Sequence, residues 1–549
     1  MATFADESET GRNAAVQPRR QVLAGLSAMA LVNGLSARAW TDKATRERSS
    51  LSLGVAATQA IPADYVGLSY ESAQLANTDF FAADNRELVH LFRQLAPRGV
   101  LRIGGNSSEF CWWKPTESAR EPQMPVRSAA TYMPHRLTAI GPKALDRLAG
   151  FLDATGWRLI YGLNLGGLSL GAATPQSGAE EAAYVSRVMG SRLMFFQIGN
   201  EPDFYGNANT GLRGAGWNFD RYLEEWTRYA QAVAERVPEA RFGGPDVGSN
   251  VDWALRFAAE APKRLPGRIV ACTSHYYAEG PPDSPQTAME RLLVPDERLE
   301  QRIEALNKAA ARAHLDYRMT EGNSCYRGGK PGVSDAFGSA LWAMKFMLEL
   351  ATLGTAGVNF HGGGSSQIRS ALGDHLPGAT IAGGASGRSS ADGRTAREMA
   401  ANALGSFYTP IAGSRTTGFV ARPIFYGMKL AGLLAGGAMR SVTNDVGMAA
   451  ESVWAAKMPD GATRVVAINA GEGSERYLRI PARGPARIWR LQAATLAATS
   501  GVLLAGAAID AEKSWRPRDE QRVANHGGQI EIRMPGASAA VIFLDSADR

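Results

Sequence analysis

The sequence predicts an α/β fold: eight parallel strands, each followed by a helix, closed into a barrel, with a smaller β-domain after it. Three observations predict it. Eight short apolar runs recur between residues 65 and 363. Stretches with apolar residues at three- and four-residue spacing lie between most of them, and strands that alternate with helices build a parallel sheet. After about residue 440 the helical spacing stops, and short strands with turn residues take over. This is the pattern of a (β/α)8 TIM barrel with a C-terminal β-sandwich. An open doubly wound sheet is the alternative, but no G-x-G-x-x-G follows a strand.

Taken in chain order, residues 1–39 read as an export signal. Arg19 and Arg20 precede a weakly apolar stretch, VLAGLSAMALVNGLS, which ends at Ala37-Arg38-Ala39, a small-residue cleavage pattern before Trp40. The paired arginines resemble the twin-arginine type, so the expected location is periplasmic or extracellular. Residues 40–60 form a linker, and SLSLGVAA within it is a possible edge strand of the β-sandwich.

The barrel is expected over residues 61–438. Its strands are read at 65–71, 99–105, 157–165, 193–201, 241–246, 269–277, 317–322 and 356–363. Helices are expected at 87–96, 219–237, 297–313 and 335–351, with a closing helix at 422–435. Residues 362–422 are rich in Gly, Ser, Ala and Thr and read as a long functional loop. The sandwich is expected over 439–549. There SVWAAK and TRVVAINA flank the turn Pro459-Asp460-Gly461, and ARIWRL, QIEIRM and AAVIFL continue the strands.

Composition narrows the chemistry. Lys plus Arg number 59 against 53 Asp plus Glu, a formal charge of +6, with no dense basic run, so a nucleic-acid partner is not indicated. The three cysteines, Cys111, Cys272 and Cys325, are far apart, and only seven histidines occur, which speaks against a disulfide framework or a structural metal. No apolar run is long enough to span a bilayer. No cofactor or metal is expected.

Catalytic residues of such barrels sit at the C-terminal ends of strands. Two strands end in glutamate there: Glu201 closes the fourth and Glu321 the seventh. Two facing carboxyls are what glycoside hydrolysis needs, one protonated to donate to the leaving oxygen and one ionised to attack the anomeric carbon. Asn200 would bond the sugar 2-hydroxyl, and Pro202 would stiffen the turn that aims Glu201. Asp203 has no catalytic part in this reading and is expected to be structural. The stretch Phe110-Cys111-Trp112-Trp113-Lys114 is either a sugar-stacking platform or a buried loop anchor.

The chain resembles the retaining glycosidases of clan A, and within them glycoside hydrolase family 79, the β-glucuronidases and heparanases. The resemblance rests on GLSYE at 67–71, LRIGG at 101–105, FQIGNEPD at 196–203, SHYY at 274–277, EGNSCYRGG at 321–329 and ARPIFYGM at 421–428. It implies Glu201 as acid/base and Glu321 as nucleophile. It further implies Tyr276 holding the nucleophile's carboxylate, Arg102 keeping it ionised and Glu71 taking sugar hydroxyls. The sugar's own carboxylate would fall to Tyr326 and to backbone N–H groups of Gly363 and Gly364. The chain departs from the family at Ser365 and Ser366, where a second tyrosine is expected, and at Arg327, where heparanases have glycine. The resemblance implies a retaining exo-acting β-D-glucuronidase acting on a carbohydrate substrate. An endo-acting heparanase-like enzyme, another β-glycosidase and a non-catalytic carbohydrate-binding protein remain the alternatives.

Overall fold

The computed structural model describes residues 46–128, 131, 134–372, 395–445 and 452–545. The expected export signal and residues 373–394 of the expected long loop lie outside the described residues.

Eight parallel strands close into a barrel: Val66–Glu71, Val100–Gly104, Arg158–Leu163, Leu193–Ile198, Phe242–Val247, Ile269–Glu279, Asp316–Cys325 and Val358–Gly362. Their order around the barrel is their order in sequence. The strands are buried almost throughout because helices cover their outer faces, which is why they read as near-continuous apolar runs. The expected helices occur at Arg86–Leu95, Phe219–Arg236, Glu297–Arg312, Phe337–Thr352 and Pro423–Gly432. Described parts of 362–422 are more ordered than a loop. They hold helices Ser365–Leu372 and Ala396–Leu404 and a hairpin of Ile411–Ser414 with Gly418–Ala421.

The β-domain is a ten-stranded sheet folded over its own core of Leu51, Val453, Val465, Ile480, Ile532 and Ile542. The Pro-Asp-Gly turn is present, with Met458 and Ala462 hydrogen-bonded across it and Gly461 at φ 84°. One expectation is corrected. The strand Arg46–Ala60 is not an edge: it pairs antiparallel with Ala438–Asn444 on one side and parallel with Glu475–Pro481 on the other. At fifteen residues it is long enough to reach both partners at different points along its length. Among the described residues, no helix is long and apolar enough to cross a membrane.

Candidate active site

The site forms at the strand C-terminal ends, where a cavity of about 500 Å³ is lined by Glu71, Asn200, Glu201, Glu321, Tyr326 and Tyr408 among others. Strand periodicity decides which side chains reach it. On the sixth strand, Thr273, His275 and Tyr277 bond to groups inside the barrel, whereas Ser274 turns away to the Tyr317 hydroxyl at 2.9 Å. On the seventh strand the register breaks between Met319 and Glu321. This bulge lets consecutive residues face inward: Thr320 donates to Asp246 while Glu321 bonds Arg102.

Arg102, on the second strand, ties the centre together. One guanidinium nitrogen donates to Glu321 at 2.6 Å, a second to Asn200 at 2.7 Å and to Asp246, and Nε to Gln197 at 3.1 Å. Its side chain is 1% exposed, so a cation lies in a medium where its fields are strong. Burial would raise the Glu321 carboxyl, but His361, His275 and Arg102 outweigh it and bring it down to about 2. At Glu201 burial prevails over the bond from His275 and raises the carboxyl. The two carboxyls are thus pushed apart in proton affinity, and an oxygen of each lies within 4.8 Å of the other.

Glu201 stands in the left-handed region at φ 48°, uncommon for a residue with a side chain. It is held there by its N–H to the Asp246 carbonyl at 2.9 Å and by the Phe204 N–H to its own carbonyl at 2.9 Å, ahead of the rigid Pro202. Asp203 accepts the backbone N–H groups of Gly248, Ser249 and Asn250, each at 2.9 Å, and so ties this turn to the start of the helix after the fifth strand. Its role is structural, as expected.

Glu71, Asn200 and Tyr326 line the cavity, and Arg102 lies against Glu321. Glu71 is held by the Ser107 N–H at 2.9 Å and hydroxyl at 2.6 Å. Asn200 has Nδ2 on Asn106 at 3.0 Å, and Tyr326 lies 6.4 Å from the Tyr277 ring. Two expectations are corrected. Tyr276 does not hold Glu321; its hydroxyl turns outward to Asp296 and its ring packs on Phe346. Tyr277, one residue on and in the inward phase, donates to Glu321 at 2.7 Å. Gly363 and Gly364 do not offer a free anion cradle. The Gly363 N–H donates to Thr409 Oγ1 at 2.9 Å, Gly364 bridges to Gly405, and neither lines the cavity.

Residues absent from the sequence reading complete the site. Asp246 is held ionised, well below the usual carboxylate range, because Arg102 and His275 outweigh its burial. His361 lies 3.4 Å from Glu71 and 3.5 Å from Glu321. Glu109, fully buried, accepts the N–H groups of Gly166 and Asn200 and the Tyr205 hydroxyl, fixing the loop that carries Asn200. Tyr408 stands 6.2 Å from Tyr277 and 5.9 Å from His361, and supplies an aromatic hydroxyl that Ser365 and Ser366 do not. Trp112 and Trp113 are buried, so the loop-anchor alternative holds for that stretch. Cys325 is a packed thiol pushed up to about 12 by burial.

Donor atoms of Glu201, His275 and Glu321 are close enough together for an ion. Each already bonds or faces a protein partner, including the Arg102 cation, and we assign no metal there.

No family model matches the chain. It is 26% identical to a β-glucuronidase of Aspergillus niger over 348 residues, 58% of this chain and 62% of that protein. It is 25% identical to a β-glucuronidase of Neurospora crassa over 312 residues, 50% of this chain and 52% of the relative. The chain therefore spans less than two thirds of the length of these relatives. Among solved structures, a 4-O-α-L-rhamnosyl-β-D-glucuronidase from Fusarium oxysporum 12S superimposes with a TM-score of 0.63 at 15% identity, over 90% of this chain and all of the other. An arabinofuranosidase of family GH51 from Xanthomonas axonopodis pv. citri does so at 0.58 and 14%, over 91% of this chain and 100% of that one. The sequence likeness is to glucuronidases, and the structural likeness is one of fold.

Proposed function

We propose that the chain is an exported, retaining exo-β-D-glucuronidase of the family 79 type. The observation that carries this is the Glu201–Glu321 pair: two carboxyls within one cavity, one with raised and one with lowered proton affinity, with oxygens no more than 4.8 Å apart. That spacing suits direct attack by a carboxylate and leaves little room for a water between the two, which favours retention over inversion.

In this reading Glu321, kept ionised by His361, His275 and Arg102 and oriented by Tyr277, attacks the anomeric carbon. Glu201 donates its proton to the departing oxygen, then takes one from the water that releases the sugar. Asn200, held by Arg102 through its carbonyl, offers its amide group towards the sugar. Glu71 accepts from sugar hydroxyls. Tyr326 and Tyr408 line the same cavity and would donate to the sugar's carboxylate, the part first given to Gly363 and Gly364. The likeness to proteins named β-glucuronidase supports the choice of sugar.

Hydrolysis of an aryl β-D-glucuronide, set beside neutral aryl β-glycosides, tests the reading. Turnover of the glucuronide with initial release of the β-anomer, seen by proton NMR, is the expected result. Glu321→Gln is expected to abolish turnover in a folded protein. Activity confined to neutral glycosides overturns the sugar assignment. Release of single glucuronate residues from an oligosaccharide end separates exo from endo action.

A further inference from the structure

Glu201 is one end of a chain of contacts that runs through the barrel centre. His275, fully buried on the sixth strand, places Nδ1 3.0 Å from Glu201 Oε1 and Nε2 3.1 Å from Asp246 Oδ1. Asp246 is fixed by Gln197 Nε2 at 2.5 Å, by Thr320 and by Arg102, and Arg102 continues to Glu321. The charged groups facing the imidazole are Glu201 after the fourth strand, Asp246 on the fifth and Glu321 on the seventh. Arg302, on the helix after the sixth strand, donates to the His275 carbonyl at 2.9 Å. Anions therefore outnumber cations around a ring that water does not reach.

Resting on the glycosidase reading above, we propose that Glu201 and His275 share a single proton, and that His275 is a positioning residue that stores the proton Glu201 delivers. Asp246 lies 3.1 Å from Nε2 while Nδ1 aims at Glu201, and its charge favours a proton on the imidazole. Burial disfavours the imidazolium, but Asp246 and Glu321 overcome it and raise the ring to about 10. The proton then rests on either Nδ1 or Oε1 across one 3.0 Å contact.

The transfer balances. Nδ1 releases its proton to Oε1 and regains its lone pair. Oε1 passes that proton to the glycosidic oxygen, which keeps the electron pair of the breaking C–O bond while Glu321 forms its own bond to the anomeric carbon. In the second step water bonds that carbon, the bond to Glu321 breaks with its pair returning to the carboxylate, and the water's proton goes back to Oε1 and Nδ1.

A sharing pair has a defined signature. Loss of its last proton is harder than loss from Glu201 alone, because a second position for the proton adds population to the competent form. Removing His275 must then move the alkaline limb of kcat/KM towards acid. If His275 were only a nearby cation, removing it would raise Glu201 and move the limb the other way.

The experiment compares kcat/KM against pH for an aryl β-D-glucuronide in the wild type, His275→Gln and Asp246→Asn. Both variants are expected to shift the alkaline limb acidward by about one unit or more. An unmoved limb, or an alkaline shift, overturns the proposal. Should the variants fail to fold, nitrogen NMR of histidine-labelled wild-type protein, with seven histidines in the chain, decides it. A buried imidazolium persisting at about pH 8, well above the ordinary value, is expected; a neutral ring at neutral pH overturns the proposal. A wild-type chain that turns over no glycoside overturns the catalytic reading, while the imidazole titration still decides the proton sharing.

Discussion

The hydroxyl of Tyr277 donates to Glu321 at 2.7 Å, while that of the adjacent Tyr276 bonds Asp296 on the far side of the strand. The two tyrosines therefore separate by experiment. Tyr277→Phe removes a bond to an ionised group, worth about 1.5–3 kcal/mol, and is expected to lower kcat roughly 10- to 100-fold. Tyr276→Phe is expected to stay within about threefold of the wild type, because the bond it loses touches neither carboxylate. Steady-state kinetics of the two variants checks this, and the reverse order would reverse the strand's phase.

Arg102 balances two buried carboxylates. Arg102→Met leaves Asp246 and Glu321 without their cation, and breaking a buried pair in this way costs about 3–5 kcal/mol. Denaturant unfolding is expected to show that loss. The acid limb of kcat/KM is expected to move towards neutral pH, since one of the charges that lower Glu321, beside those of His361 and His275, is gone.

Stability should depend on pH at both ends. His275 is raised in the folded state to about 10, above its ordinary value near 6.5, so its contribution is full below about 6.5 and is lost as pH rises through about 10. Glu321 is lowered to about 2, so its contribution is present above about 4.3 and is lost as pH falls through about 2. Thermal unfolding across pH is expected to show both slopes. His275→Gln should flatten the alkaline one and, because the imidazolium also helps lower Glu321, weaken the acid one.

Glu109 does not line the catalytic cavity, yet it holds the backbone of Asn200 and the hydroxyl of Tyr205. Glu109→Ala leaves buried N–H groups unpaired at about 1–3 kcal/mol each. A fall in kcat/KM together with a lower melting temperature is expected. Asp203→Ala should lose stability through three unpaired N–H groups and speed hydrogen exchange at residues 248–250, with Glu201 losing its anchor.

The barrel was legible because each strand is an apolar run covered on both faces and set off by helical spacing. Glu201 and Glu321 were legible because each stands where its run stops. The middle of the site was not. Asp246 and His275 are single polar residues inside apolar strands, and one residue alone does not show its phase. The Tyr-Tyr pair hid its phase for the same reason, though the polar side chains at 273, 275 and 277 share a parity that marks an inward face. The glycines after the eighth strand looked free because the group that takes the Gly363 N–H, Thr409, arrives from a distant segment. Tyr408 comes from that same segment, out of reach of any search confined to the strand end.

The strand of residues 46–60 has a consequence for how the chain is made. Its two partners, Ala438–Asn444 and Glu475–Pro481, leave the ribosome only after the whole barrel. A growing chain must keep Leu51 and Leu53 waiting, with both flanks of the strand unpaired, until nearly all else has been synthesised. Folding in the β-domain is thus a closure step joining strands that lie before and after the barrel in sequence, and contacts so remote in sequence form slowly. Any C-terminal truncation that removes Glu475–Pro481 would strip one flank of that strand and leave a bare sheet edge open to self-association.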